Sequence, residues 1–287
     1  MQHKETDVIK KSGEKVRFSK EKLQNSLLRS GADAQTVAQI MDRVRDELYQ
    51  GIPTQVIYRK ALSMLVKKDR SVAAKYRLKN ALQELGPSGF PFEEFVSALL
   101  VADGYETQVG LTLPGVCVTH EVDVLAEKDG AFTPVECKFH NEPGLPCNVK
   151  VPLYIHARFN DIRAHWSAHH SPQTQLLPGW VVTNTRFTDD AKQYGQCVGL
   201  HLVGWDTPKK DSLKARIDRT GLYPVTVSTL LTKLEKKALL DRKIVLCKQV
   251  LSNDFALEEL GISPNRVQKI LHEMNQLYPS LPHEERS

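Results

Sequence analysis

Residues 116–139 constrain this chain more than any other stretch. They read VCVTHEVDVLAEKDGAFTPVECKF, with apolar and polar side chains alternating on both sides of Lys128-Asp129-Gly130. Period-two alternation marks a strand with one face turned to a core, and Asp-Gly supplies the tight turn that reverses it. The spacing predicts two antiparallel strands, over 116–125 and 132–139. On such strands Glu121 and Asp123 share one face, and Glu136 and Lys138 share a face of the partner. Two carboxylates brought together can hold a hard divalent cation, Mg2+ or Mn2+, through oxygen. Held there, the cation would lower the pKa of a bound water and offset charge gathering on a phosphate. Lys138 would stabilise that charge or orient the water. By itself the same pattern also describes an amphipathic hairpin with exposed acids and a surface lysine.

The flanking sequence has an α/β order. Phe92-Glu93-Glu94-Phe95 opens an amphipathic helix that ends at Asp103-Gly104, and a strand is expected over 105–109. After the hairpin come a Pro/Gly-containing stretch (141–152), a helix over 153–166, a strand at 180–184, a helix near 188–195 and a strand at 200–205. The fold class expected is α/β (α+β overall), a central mixed sheet flanked by helices. Ahead of it, Val8 to Phe18 read as a small hairpin across Ser12-Gly13, followed by four helices. Gly86-Pro87-Ser88-Gly89 is the clearest boundary. Beyond Thr207-Pro208 short apolar-periodic pieces return at 230–240, 247–251, 257–260 and 266–277, and the polar last ten residues read as a frayed end. Three domains are expected: 1–86, 88–207 and a helical tail, 209–287.

Charge divides along the same lines. Residues 1–86 carry 18 Lys+Arg against 10 Asp+Glu, residues 87–208 carry 7 against 14, and residues 209–287 carry 14 against 10. An acidic centre between basic ends suits a metal site whose arms meet polyanions such as DNA. With 41% hydrophobic and 25% charged residues the 287-residue chain can bury real cores. No apolar run is long enough to span a bilayer and the start is polar, so no membrane partner is expected and cytoplasm is the default. Five widely spaced cysteines without a CxxC pair argue against a disulfide framework or a zinc ribbon. His165 and His169 stand one helical turn apart, but no cysteine or acid falls at a usual companion spacing for zinc.

Phe92-Glu93, Gly104-Tyr105, Glu-Val-Asp-Val, Val-Glu-Cys-Lys and the later VVTNTRFTDDAKQYGQCVGLHLVGWD stand in an order that resembles the Mrr-like branch of the PD-(D/E)xK nucleases, over roughly 88–207. The resemblance implies a restriction-endonuclease-like fold, Asp123 and Glu136 as metal-binding acids, Lys138 as catalytic lysine and Glu93 as the acid on the first helix. The chain departs from that branch in two places. No Gly-Asp-Gly precedes Glu121, and Tyr154, His156 and Arg158 stand on the next helix where a glutamine is expected.

Residues 7–86 resemble the ATP-cone, a small nucleotide-binding regulatory domain. The matching pieces are Val8-Ile9-Lys10-Lys11-Ser12-Gly13, Phe18 with Lys22-Leu23, Gly51-Ile52-Pro53-Thr54 and Ala74-Lys75-Tyr76-Arg77-Leu78. Lys10, Lys11 and Lys22 could converge on a triphosphate as point charges, and the resemblance adds Thr54 as a nucleotide contact. It implies ATP or dATP as a regulatory ligand. No G-x-x-x-x-G-K-[ST] element is present, so no hydrolysing motor is expected. The tail around 234–251 resembles helix–hairpin–helix units, with Arg242 and Lys243 in place of the glycine-containing hairpin; a packing or dimerisation module is the other reading.

Together these features predict a metal-dependent DNA endonuclease regulated by ATP or dATP. The alternative is a nucleotide-responsive DNA-binding or oligomerising regulator with an inactive nuclease fold, possible as a homo-oligomer.

Overall fold

The structure, a computed structural model, describes residues 6–142 and 144–278. The polar end expected to fray lies outside the described residues from position 279 onward, as do positions 1–5 of the front domain. β1 (Asp7–Ile9) and β2 (Lys15–Arg17) form an antiparallel hairpin, with Val8 opposite Val16. Ser19 caps α1 (Lys20–Arg29) by accepting from the Lys22 N–H at 3.2 Å, and Asp33 caps α2 (Ala34–Asp46). β3 (Ile52–Pro53) then lies parallel to β1 and feeds α3 (Thr54–Lys68). Asp69 ends α3 and caps α4 (Arg70–Tyr76). The sequence predicts one helix over 71–85. It is broken at Arg77, and α5 (Leu78–Gln83) follows. Neither Gly nor Pro marks the break, which goes with the Arg77 guanidinium donating to the Ser228 carbonyl at 2.6 Å, about 150 residues away in the chain.

The middle segment has the expected order, with the strand expected over 105–109 and the helix expected over 153–166 longer than expected and the last two strands shorter. α6 (Phe90–Ala102) leads to β4 (Glu106–Pro114), β5 (Thr119–Lys128) and β6 (Ala131–Lys138). Asp129 and Gly130, at φ 53° and 76°, make the two-residue turn between Lys128 and Ala131. α7 (Lys150–His169), β7 (Trp180–Thr183), α8 (Asp189–Val198) and β8 (His201–Val203) complete a five-stranded sheet of order β4-β5-β6-β7-β8, antiparallel at its start and parallel from β6 onward. Alternate residues of β7 face opposite cores. Val181 clusters with Ile155, Phe159 and Ile162 of α7, whereas Val182 lines a space with Val96, Leu99 and Leu100 of α6.

α9 (Leu213–Thr220) is a helix that the periodicity did not single out, although Ser212 caps it and Gly221 ends it in the left-handed conformation. A 3₁₀ turn (Val225–Val227) precedes α10 (Lys233–Asp241), α11 (Cys247–Ser252), α12 (Phe255–Glu258) and α13 (Pro264–Asn275). Between α10 and α11 Lys243 takes a left-handed φ of 60°.

The chain divides into two compact units. One combines residues 6–81 with 225–238 and 247–278, and the other combines Leu82–Pro224 with Leu239–Leu246. The first unit holds a core of Val8, Leu27, Ile40, Ile57 and Leu65 among others. Its tail segments are tied in by polar bonds: the Thr226 hydroxyl donates to the Ala81 carbonyl at 2.7 Å, and buried Glu273 accepts from the Thr229 N–H at 2.9 Å. All five cysteines are free thiols. Among the described residues no helix is long and apolar enough to cross a membrane.

Candidate active site and nucleotide site

The β5–β6 ladder runs from the turn to Val124 opposite Val135 and stops there. The next pair in register is Asp123 and Glu136. Instead of backbone pairing, Asp123 Oδ2 accepts the Cys137 N–H at 2.6 Å, so a carboxylate replaces a strand carbonyl as acceptor. Past that point β6 is held by β7, with Glu136 beside Val181 and Lys138 beside Thr183. On β4, Gly110 at φ 70° stands across from Asp123, between the pairs Val109–Val124 and Leu111–Val122. The left-handed φ there is one that glycine adopts at little cost.

Arg158 of α7 reaches into the same group. Its Nη1 donates to Glu136 Oε2 at 2.9 Å, its Nη2 donates to the Glu121 carbonyl, and its guanidinium lies 5.3 Å over the Tyr154 ring. Two features place α7. Phe159, buried at 1% exposure, packs where Gly179 has no Cβ; a Cβ there would come within 2.1 Å of the ring. Asp161 accepts from the Cys117 N–H at 2.9 Å and pairs with His120 Nε2 at 2.8 Å, which fixes the β4–β5 turn to the helix. Past Lys138, Asn184 pairs with the His140 backbone in both directions, each bond at 2.9 Å.

The electrostatics follow from crowding acids in a half-buried place. Burial first, and then the neighbouring Asp123 charge, push Glu136 up to about 7, against the pull of Arg158 and Lys138. Burial and then Asp123, Glu121 and Glu136 push Glu93, in the first turn of α6, up to about 7 as well. Asp123 is also raised, chiefly by burial, with its bond from the Cys137 N–H opposing. Lys138 is exposed.

A pH dependence follows. Both glutamates titrate above their ordinary 4.5, so the folded chain keeps protons that the unfolded chain releases between 4.5 and about 7. The stability gained from those neutral acids is full below 4.5 and is lost as pH rises through about 7. Glu136→Gln is neutral at every pH. Its melting temperature relative to the wild type is expected to be higher at about pH 8 than at about pH 5. A difference that does not change with pH would rule out a buried proton on Glu136.

The residues singled out in the sequence are thus brought together in part. Asp123, Glu136 and Glu93 interact, and Glu136 and Lys138 follow the same strand face. Carboxylate oxygens are the right donors for Mg2+ or Mn2+, and the Cys137 bond uses only one of the two Asp123 oxygens. Among the described residues no three His, Cys, Asp or Glu side chains converge as a metal-holding group. His165 and His169 stack ring on ring at 4.0 Å. Arg158 and Asn184 were not picked out as site residues, because nothing local in the sequence shows which side chain a helix or loop will aim at a sheet end.

At the front hairpin, Val8 pairs with Ile52 and Ile9 with Pro53. The next residues in that register are Lys10 and Thr54, the latter opening α3. Lys11 lies in the hairpin turn, Lys22 lies in the first turn of α1, and both are exposed. Lys10 pairs with Glu14 at 2.8 Å. Tyr58 stacks on Tyr76 with ring centroids 5.3 Å apart, and burial pushes the Tyr76 phenol upward.

Comparison with known proteins gives two family matches, the ATP cone domain over residues 6–84 and the AF1548-like C-terminal domain over residues 223–278. ATP-cone domains bind ATP or dATP as a regulatory ligand. An uncharacterized protein of Archaeoglobus fulgidus is 34% identical over 182 residues, which are 62% of this chain and 97% of that protein. The crystal structure of AF1548, a protein of unknown function, matches with a TM-score of 0.55 at 32% identity, covering 66% of this chain and 98% of that one. With that identity spread over nearly the whole of its archaeal relative, and with an ATP-cone domain at residues 6–84, this chain belongs to the AF1548-like family.

Proposed function

We propose that this protein is a metal-dependent DNA endonuclease whose activity responds to ATP or dATP bound at the ATP-cone domain. The observation that carries the reading is the end of the β5–β6 ladder, where Asp123 and Glu136, the next residues in register, no longer pair with each other and Asp123 takes the Cys137 N–H instead. Glu93 adds a third carboxyl from α6, and Lys138 follows Glu136 on the same strand face. The order of elements from α6 to β8 and the resemblance to Mrr-like nucleases support it further.

Asp123 and Glu136 would hold Mg2+ or Mn2+, which when bound supplies an activated water and offsets phosphate charge. The rest of the chemistry falls to this chain's own residues. Lys138 carries a positive charge to the side where the phosphate would lie and stabilises charge on its oxygens. Glu93, with its pKa raised to about 7, can take a proton from the attacking water near neutral pH. One water adds to phosphorus, one P–O ester bond breaks, and the departing oxygen takes up a proton. The reading is tested by incubating linear, nicked, branched and modified DNA with the protein and Mg2+ or Mn2+, with and without ATP and dATP. If every DNA form stays intact under all conditions, the reading fails and the regulator alternative takes its place. A change in mass or DNA affinity with nucleotide would then support that alternative.

For the nucleotide site, Lys10→Ala and Lys22→Ala are each expected to weaken ATP or dATP binding by about tenfold, the loss of one charge-assisted contact. Calorimetric titration measures it. Unchanged affinity in both variants would place the nucleotide elsewhere. The exposed Lys10–Glu14 pair contributes little to folding, so a loss of affinity would not be a loss of fold.

A further inference from the structure

A cation already occupies the carboxylate group. Arg158 bonds to Glu136 Oε2 and to the Glu121 carbonyl, with side-chain exposures of 13% for Arg158 and 16% for Glu136. Lys138, the lysine that the sequence pairs with these acids, makes no ion pair with Glu136 among the described residues. Glu93, Glu121, Asp123 and Glu136 repel one another across this space, and a guanidinium is a permanent counter-charge that cannot release its proton. A divalent ion bound at Glu136 would bring two positive charges within a few ångströms of a third, at an unfavourable energy. The two cations therefore compete for one carboxylate.

We propose that Arg158 gates metal loading: its guanidinium holds Glu136 until a divalent cation takes that carboxylate, and it then turns to the phosphodiester of bound DNA. The inference rests on the nuclease reading above. One feature favours exchange over a fixed strut. Arg158 engages a single Glu136 oxygen rather than forming a two-pronged fork, so its hold is the weaker kind.

The test is a titration of the full chain with Mn2+, following the free ion by electron paramagnetic resonance. Arg158→Gln is expected to bind Mn2+ about tenfold more tightly than the wild type, ~1.4 kcal/mol, with Arg158→Lys in between. At saturating Mn2+ its DNA cleavage should fall by about a hundredfold, as when one charge-stabilising donor is lost. A damaged fold does not bind metal more tightly, so a gain in affinity is diagnostic. Equal or weaker affinity in Arg158→Gln overturns the gate. Asp123→Asn in the same titration separates the two claims. If it loses Mn2+ while Arg158→Gln gains nothing, only the gate falls; if it binds as the wild type does, the metal site and the gate fall together.

Discussion

Asp123→Asn is expected to lower Mg2+-dependent DNA cleavage by about a hundred- to a thousandfold, the range for removing one group that stabilises transition-state charge. The substitution is chosen for what it leaves in place. Asp123 accepts the Cys137 N–H at 2.6 Å, and an asparagine amide oxygen can accept the same bond. The splayed end of the β5–β6 ladder should therefore persist, and only the negative charge goes. Asp123→Ala would also strand the Cys137 N–H without an acceptor and would mix a folding defect with the chemical one. Rates measured on a DNA form that the wild type cuts, alongside melting curves for both proteins, separate the two effects. Cleavage by Asp123→Asn at the wild-type rate would remove Asp123 from the mechanism.

Phe159→Ala is expected to destabilise the protein by about 3–5 kcal/mol, the usual cost of emptying a buried aromatic site. Phe159 is 1% exposed and lies where Gly179 has no side chain, so backbone stands close to the ring and has little room to collapse into the gap. Denaturant unfolding measures the loss. A cost under about 1 kcal/mol would show that α7 is held by other contacts. The effect should reach the candidate site, because the neighbouring residue in the chain is Arg158. Leu153→Ala, on the exposed side of α7 at 44% exposure, is the control and should cost far less.

The two expected results differ in how far they could be foreseen. Asp123, Glu136 and Lys138 were legible because strand alternation is local: which side chains share a face follows from counting by two. The Asp129-Gly130 turn was legible because only certain residues adopt positive φ readily, and both do so here. Ser212 and Gly221 bracket α9 with the same kind of local signal, and attention to caps as well as apolar period would have found that helix. Arg77 had no such signal. The bonds that accompany the break after α4 come from a segment about 150 residues away.

The sequence by itself determined the α/β order of the middle segment, the reversal at Asp129-Gly130, the sharing of a strand face by Glu136 and Lys138, and the hairpin and first three helices of the ATP-cone. Each depends on backbone preferences or on a period spanning a few residues. Only the tertiary structure decided three things. The β5–β6 ladder ends at Val124 and Val135, so that Asp123 takes the Cys137 N–H; Arg158, not Lys138, bonds to Glu136; and Glu93 on α6 joins the same electrostatic group. The physical reason is common to all three. Register, packing and burial bring together groups that are distant in the chain, and the energy of a carboxylate is set by which charges and how much water end up beside it.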